Sequence, residues 1–457
     1  MGLHYERLFR NVLFPMYEAG VARRHTLRYL RQFEASQWLA PEQLMVLQWT
    51  RLKRLIEHCW EEVPFYRERW TRVGATPGDI RTLEDYARLP VLTKRDVREN
   101  LDRIHARSLR HSLLYKATGG STGEPLRFGY TRESYERRIA VMWRGYGWAG
   151  AAPGRRTLLL WAGTMGTPPF HERWKDHVYH AAFQRRMLDS FAMREDNLHE
   201  YADAVAAYRP RVIVGYVGPL VRLAQWMVDN GRVVHGVHSV LGAAEALHEF
   251  HRPVIEAAFP DAKSYNTYGC REVMLIASEC EHREGLHVNA DHLVVEMLPG
   301  NGGHPPGTGE LVVTDLGNYG MPLLRYVNGD VVSAGPQAPC ACGRGLPRLA
   351  RVEGRRLDAI RSLDGRVLPG EFFPHLLKDV PGVLRFQVLQ VRRDRLQIKL
   401  VPGPEFGDGQ ERHVLREVAR ALGPDMHIEL ARVDSIPLTR TGKFRVTVSQ
   451  IDRGDDA

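Results

Sequence analysis

Five short segments hold the residues whose types and spacing could do chemistry. The first reads Thr118-Gly119-Gly120-Ser121-Thr122-Gly123-Glu124-Pro125. Glycines let backbone N–H groups approach an anion closely, and the interleaved hydroxyls add donors, which is how a loop cradles phosphate oxygens. A P-loop nucleoside triphosphatase needs Lys and then Ser or Thr after its closing glycine. Glu124 and Pro125 stand there instead, which disfavours that class. An ordinary flexible loop is the competing reading. The second segment is Asn266-Thr267-Tyr268-Gly269-Cys270-Arg271-Glu272, where a ring beside a glycine can cover a nucleotide base and a carboxylate can hold magnesium on ATP phosphates. In the third, Pro322 to Asp330, an aspartate at a turn can accept both hydroxyls of a ribose. Taken singly, each of these two reads as a plain turn ahead of a site. The fourth, Gly354-Arg355-Arg356-Leu357-Asp358, and the fifth, Pro437 to Arg445 with Thr441-Gly442-Lys443, place cations late in the chain. A lysine on such a loop can reach a phosphate and a carboxylate together. A lone lysine there is otherwise a solvated charge.

The five cysteines are too few for a disulfide framework, yet four of them fall between Cys270 and Cys342. Cys340 and Cys342 form a tight Cys-x-Cys. Cys280 lies upstream with His282, His287 and His292 close by. Three thiolates and one imidazole would complete a tetrahedral zinc site, although the interval from Cys280 to Cys340 is long for a zinc ribbon. Reduced buried or surface thiols remain the alternative. Cys59 sits on a helical apolar stripe and reads as core, and Cys270 reads as pocket lining.

The elements that must position these groups follow from periodicity. The lead-in is helical: Leu52, Leu55, Ile56, Cys59 and Trp60 repeat as one buried helix face. Arg23, Arg24, Arg28 and Arg31 flank Leu27, Leu30 and Phe33, a pattern of a packed surface helix or, less simply, of a membrane contact. From about residue 105 short apolar runs appear, Thr157–Trp161, Val212–Val214, Val240-Leu241 and Leu311–Val313, alternating with helical stretches. That alternation predicts an α/β fold. Near the end, Phe386 and Val388, then Leu396, Ile398 and Leu400, alternate about Arg393-Asp394 as a hairpin. Leu415, Val418, Ala419 and Leu422 follow as a helix stripe, and Ile428 and Leu430 begin another strand. The reading is a large multi-layer α/β domain over 1–354, with a helical lead-in over 1–105 and a nucleotide- and acid-binding core over 106–354. A small α+β domain over 355–457 follows it.

Composition bounds the class. The chain has 457 residues and a net charge of +9, but 54 acidic residues nearly match 63 basic ones. No basic block, zinc finger or RNA-binding signature points to nucleic acid. No apolar run is long enough for a transmembrane helix, and the N-terminus lacks the core of a signal peptide. Glu6 stands where a myristoylation signal wants Ser or Thr. A cytoplasmic protein, with a homodimer as the default assembly, is the expectation.

In their order and intervals the five segments resemble the core motifs of adenylate-forming enzymes: acyl-CoA synthetases, adenylation domains and luciferases. Leu89-Pro90-Val91-Leu92-Thr93-Lys94 and Gln37-Trp38-Leu39 look like the phenylacetate–coenzyme A ligase-like branch, which includes proteins of capsular polysaccharide loci. The resemblance implies ATP-dependent activation of a carboxylic acid, possessing an aromatic group in one reading, to an acyl-AMP with release of pyrophosphate. The acyl group then passes to a thiol, coenzyme A first among them. Thr118, Gly119, Gly120, Ser121, Thr122 and Gly123 would hold ATP phosphates. Gly242, Ala243 and Ala244 would border the adenine, with Tyr268 against it in the run Asn266, Thr267, Tyr268, Gly269. Glu272 would bind magnesium, Asp330 the ribose and Arg355 a phosphate or ribose oxygen. Lys443 would bridge the acid and the α-phosphate on a small domain that moves between half-reactions. The branch also carries a Glu-Cys, Leu-His, Cys-x-Cys-Gly pattern. Glu279-Cys280, Leu286-His287 and Cys340 to Gly343 match it, which makes His287 the fourth ligand of a structural zinc.

Three departures from the pattern bear on function. Glu124 replaces a lysine common after the loop glycine, Leu357 stands at a usually polar hinge, and 360–370 departs from the glycine-centred segment that shapes the thiol channel. Adenylation therefore has more support than transfer to coenzyme A. A carrier-protein phosphopantetheine, an amine acceptor or a catalytically degenerate scaffold are the alternatives; a charge-driven nucleic-acid or membrane protein is favoured by charge alone. Trp143, Trp161 and Tyr216 lie in the interval that lines the acid pocket, and each is equally ordinary core.

Overall fold

The structure, a computed structural model, describes residues 2–118, 126–161, 170–245, 247–299, 307–352, 360–368, 372–377, 380–436 and 446–451. The lead-in is helical as the periodicity predicts. Pro41, whose missing N–H costs nothing at a helix start, opens the helix Pro41–Glu62, and Gln43 Oε1 accepts the Ala40 N–H at 3.1 Å. Its inner face buries Leu52, Leu55, Ile56 and Cys59. Removing each leucine from water contributes about 1.5–3 kcal/mol.

A hairpin, β1 (Leu114–Ala117) and β2 (Arg127–Tyr130), comes next. An eleven-stranded sheet follows: β3 (Thr157–Trp161), β4 (Arg185–Asp189), β5 (Val212–Tyr216), β6 (Ser239–Ala243), β7 (Lys263–Cys270), β8 (Met274–Glu279), β9 (Leu286–Val288), β10 (Leu293–Pro299), β11 (Thr308–Asp315), β12 (Tyr326–Ala334) and β13 (Arg348–Val352). Its order is β10-β11-β12-β13-β9-β8-β7-β6-β5-β3-β4. The half from β4 to β7 is parallel, and every pairing from β7 to β10 is antiparallel.

The apolar runs of the parallel half are covered on both faces, as such strands require. Leu158, Leu160, Ile213 and Val240 join one cluster with the helices Leu198–Tyr208 and Val217–Asp229. Their neighbours Leu159, Val212, Val214 and Leu241 point to the other face. The helix Arg132–Trp148 is fastened to the sheet by two buried ion pairs, Arg138–Asp315 at 2.7 Å and Arg144–Asp291 at 2.5 Å.

The last segment has its own sheets and core. β14 (Ile360–Arg361) pairs with β15 (Val367–Leu368), and β16 (Val383–Arg392), β17 (Arg395–Pro402), β18 (His427–Arg432) and β19 (Thr447–Ser449) form a sheet of order β18-β17-β16-β19. The hairpin turns at Arg393-Asp394, as expected. The helix Asp408–Leu422 buries Val414, Val418 and Leu422, so its stripe runs along an i, i+4 line and leaves Leu415 and Ala419 at its flank. A helix lying flat on a sheet presents one such line rather than a wider face. The expected boundary at Gly354 lies outside the described residues. Among the described residues no helix is long and apolar enough to cross a membrane.

Candidate nucleotide site and cysteine–histidine cluster

The first glycine-rich segment is tethered at the tip of the β1–β2 hairpin. The Thr118 N–H donates to the Leu126 carbonyl at 2.8 Å, and the Leu126 N–H donates to Thr118 Oγ1 at 3.0 Å. Thr118 is buried; Gly119, Gly120, Ser121, Thr122 and Gly123 lie outside the described residues. Leu92, in the segment before the loop, forms a bridge to Tyr326, with Leu92 N–H to Arg325 O and Val327 N–H to Leu92 O both at 2.9 Å. Thr93 then caps the next helix, its Oγ1 accepting the Asp96 N–H at 3.1 Å.

The second and third segments meet on adjacent parts of the sheet. Gly242 of β6 pairs with Asn266 of β7, and Thr267 Oγ1 donates to the Gly242 carbonyl at 2.9 Å. Ala244, just past β6, has φ of 65°, a left-handed conformation that a residue with a Cβ adopts at some cost and that clusters at functional sites. At β7 the register shifts between Tyr268 and Gly269. A Cβ on Gly269 would lie 2.1 Å from the Met274 carbonyl oxygen, so only glycine lets β7 turn into β8 here. Tyr268 is buried, and its hydroxyl donates to Asp330 Oδ2 at 2.8 Å while accepting from Asn328 Nδ2 at 2.9 Å. Asn328 Nδ2 also reaches Asp330 Oδ2 at 2.7 Å. Burial first, and then the Asp330 charge, push the Tyr268 phenol well above its ordinary range, so it stays a donor.

Glu272 is 4% exposed, and its Oε1 accepts the Tyr326 hydroxyl at 2.8 Å. No arginine or lysine among the described residues forms an ion pair with it. A buried carboxylate without a cationic side chain suits a metal cation. Arg271, one residue earlier, lies close enough to Tyr130 of β2 to lower its phenol against the larger upward effect of burial. Tyr268, Phe128 and Tyr130 share one core cluster, which sets the hairpin beside this segment. The structure thus brings together Gly242, Ala243, Ala244, Asn266, Thr267, Tyr268, Gly269, Glu272 and Asp330, while Thr118 is placed at the end of the β1–β2 hairpin. Arg355 and Lys443 lie outside the described residues.

Two of the three aromatic candidates for the acid pocket stand at the carboxyl ends of parallel strands. Trp161 and Tyr216 stack at 4.5 Å, and Phe191 stacks on Tyr216 at 5.8 Å. Phe372, from the C-terminal segment, packs edge-on to Phe191 at 5.2 Å. Trp143 lies elsewhere, among Phe9, Phe14 and Phe183. Periodicity carried no sign of Phe191 or Phe372, which are far apart in sequence. Glu245 directly follows Ala244, and no local pattern in the sequence marks it. Its Oε2 accepts the Gly218 N–H at 2.6 Å, and burial raises its carboxyl.

The cysteine cluster assembles from three separate places. Cys280 follows β8, His287 lies in β9, and Cys340 and Cys342 precede β13. Their ligand atoms all lie within 4.8 Å of one another. The Cys280 and Cys340 sulfurs are 3.7 Å apart, and Cys342 Sγ is 3.4 Å from His287 Nε2. A disulfide would bring sulfurs to about 2 Å. Ligands at about 2.3 Å from a tetrahedral zinc stand roughly 3.8 Å from each other, which these spacings fit. His287 Nδ1 meets the Leu346 carbonyl at 3.2 Å, which fixes the ring and leaves Nε2 toward the sulfurs, as in a ligating histidine. Burial lowers His287 to about 4, so the ring is neutral. His282 is exposed, and His292 instead sits 3.6 Å from Asp315, which removes both as ligands. The Gln37-Trp38-Leu39 segment closes over the cluster. Gln37 Oε1 accepts from Trp148 Nε1 at 2.8 Å and Arg344 Nε at 3.2 Å, and a Cβ on Gly345 would lie 1.9 Å from the Leu39 carbonyl oxygen.

Known proteins with similar sequence and fold agree with each other. The family description "CapK C-terminal domain" matches residues 360–450. A phenylacetate–coenzyme A ligase of Thermus thermophilus is 29% identical over 445 residues, 89% of this chain and 96% of that one. Protein CapK of Staphylococcus aureus is 24% identical over 414 residues, 89% of this chain and 90% of its own. Among solved structures, a 2-hydroxyisobutyryl-CoA ligase with 2-HIB-AMP and CoA aligns with a TM-score of 0.59 at 19% identity, covering 91% of both chains. Along about nine-tenths of its length the chain is therefore similar in sequence to a phenylacetate–coenzyme A ligase, and it shares the fold of a 2-hydroxyisobutyryl-CoA ligase.

Proposed function

We propose that the protein uses ATP to activate a carboxylic acid as its acyl-AMP, with release of pyrophosphate, and then transfers the acyl group to the thiol of coenzyme A. The observation that carries this reading is the meeting of Tyr268, Asp330 and buried Glu272 beside the Gly242–Ala244 turn and the hairpin that bears the glycine loop. The names and complexes of the relatives support it: phenylacetate–coenzyme A ligases in sequence and a ligase with acyl-AMP and CoA in fold.

In this reading the Tyr268 ring packs against adenine beside Gly242, Ala243 and Ala244, while Asn266, Thr267 and Gly269 shape the strand beneath. Asp330, held by the Tyr268 hydroxyl and Asn328, receives the ribose hydroxyls. The loop from Thr118 to Gly123 receives the phosphates. Magnesium on Glu272 would offset phosphate charge. A carboxylate oxygen attacks the α-phosphorus in line, the bond to the bridging oxygen breaks, and pyrophosphate leaves with the electron pair. No protein nucleophile is needed, so catalysis is positioning and charge stabilisation. Lys443, with Arg355, supplies that charge from a small unit of residues 355–457 that reorients on a large unit of 1–354. Trp161, Tyr216 and Phe191 make an aromatic wall suited to an aryl or medium-sized acid. Cys280, His287, Cys340 and Cys342 would hold a zinc ion, which would supply structural support rather than chemistry.

Acid-dependent ATP–pyrophosphate exchange over a panel of aryl, fatty and amino acids, with and without coenzyme A, tests the reading. Exchange with at least one acid is expected, and Lys443→Ala is expected to abolish it while folding normally. Failure of every acid, or full exchange in the variant, would overturn the adenylation or the role of Lys443 respectively. Acyl-AMP accumulation without thioester in the presence of coenzyme A would redirect the second step to a carrier protein or an amine.

A further inference from the structure

The first helix presents two different faces. It runs from Gly2 to Val21 with wide turns at Phe9–Leu13 and Tyr17–Val21. Phe9, Phe14 and Glu18 recur every four to five residues and are buried. A second line, Leu8, Val12, Leu13, Met16 and Val21, recurs at similar intervals and is exposed, Met16 at 65% and Val21 at 77%. Single exposed apolar side chains need no explanation, but a line of them along one helix does. The helix Phe170–Ala182 packs alongside through Tyr179 and the following Phe183, and adds exposed Trp174 and Val178.

The charge around this face is mainly positive. Arg7, Arg10, Arg28 and Arg31 are exposed on this helix and the next, with Arg23 between them, while Glu34, beside Arg10 and Arg31, and Asp176 of the neighbouring helix are exposed acids. The two acids of residues 2–31 are turned inward: Glu6 pairs with Arg10 and Arg155, and Glu18 is buried beside Arg24. We propose that this face docks on an anionic lipid surface, with the apolar line entering the headgroup–acyl boundary and the arginines over phosphates. An apolar stripe flanked by arginine, with a tryptophan alongside, is what such an interface selects. A second copy of the chain fits less well, because a twofold contact would set the same arginines against each other. The helix lies on the surface and does not span it.

Co-sedimentation of the full chain with phosphatidylcholine vesicles, with or without phosphatidylglycerol, tests the proposal. Binding is expected only with phosphatidylglycerol and is expected to weaken at high salt. The double variant Val12→Glu, Met16→Glu should bind about tenfold less, with an unchanged unfolding midpoint showing that it folds. Arg23→Glu with Arg28→Glu should weaken binding on its own. No wild-type binding to anionic vesicles, or equal binding by the Val12/Met16 variant, would overturn the proposal. Self-association that the same variant disperses, without vesicle binding, would assign the face to a second copy instead.

Discussion

Tyr268 joins two roles through two different parts of its side chain. The ring faces the core beside β2, while the hydroxyl links Asp330 and Asn328. Tyr268→Phe keeps the ring and removes the link. It is expected to raise KM for ATP about tenfold, the effect of one hydrogen bond to a charged group, with kcat little changed. An unchanged KM would mean that Asp330 needs no such support. His292 offers a prediction about stability. Burial, outweighing the nearby Asp315, lowers it to about 4 from its usual 6.5. The unfolded chain therefore takes up a proton that the folded one refuses as pH falls from about 6.5 to about 4. Stability drops across that window, by on the order of 3 kcal/mol for this group. Urea unfolding at pH 7 and pH 5 should show a shallower dependence in His292→Gln than in the wild type; equal slopes would rule the histidine out.

At the scale of elements, the helix Arg132–Trp148 ties the lead-in to the sheet. Arg144 is 1% exposed, bonds both oxygens of Asp291, and also donates to the Phe33 carbonyl and Asn289. Arg138 donates from both Nε and Nη2 to one oxygen of Asp315, Oδ2. Buried pairs are weak evidence of net stability, but removing one partner strands the other charge. Arg144→Met should cost about 3–5 kcal/mol in denaturant unfolding. Replacing both Arg144 and Asp291 with apolar residues should recover much of that loss. A single variant as stable as the wild type would show that Asp291 finds another partner or protonates at little cost.

At the scale of the whole molecule, the cysteine–histidine cluster joins β8, β9, the turn before β13 and the Gln37–Leu39 turn of the lead-in. These pieces are far apart in the sequence. Protein purified without added metal should carry close to one zinc per chain by elemental analysis. Cys340→Ser or strong chelation should remove it and lower the thermal midpoint on the order of 5 °C. With the four groups serving the fold rather than the reaction, as proposed above, the metal-free protein that remains folded should keep measurable ATP–pyrophosphate exchange. Zinc content near zero in folded protein would leave the four groups as reduced thiols and a buried imidazole.

Much of this was legible in the sequence. Strands Thr157–Trp161 and Val212–Tyr216 follow from local apolar runs, because a strand buried on both faces must be apolar at every position. The lead-in helix and the C-terminal hairpin follow from periods of 3.6 and 2. The segments from Thr118 to Lys443 pointed to one chemistry through their order and intervals, which resemble those of adenylate-forming enzymes; singly, they read as turns or solvated charge. Other features depended on contacts that no local pattern encodes. Cys280 and Cys340 are 60 residues apart in the chain, yet their sulfurs are 3.7 Å apart; the choice of His287 over His282 and His292 rests on which side chain the β9–β13 pairing turns inward. The same holds for Phe191 and Phe372, for the link between Tyr268 and Asp330 across 62 residues, and for the apolar line on the first helix. Residue type and local period decide what a segment can do. Only the packing of distant segments decides which side chains meet, because that depends on excluded volume and burial summed over the whole chain.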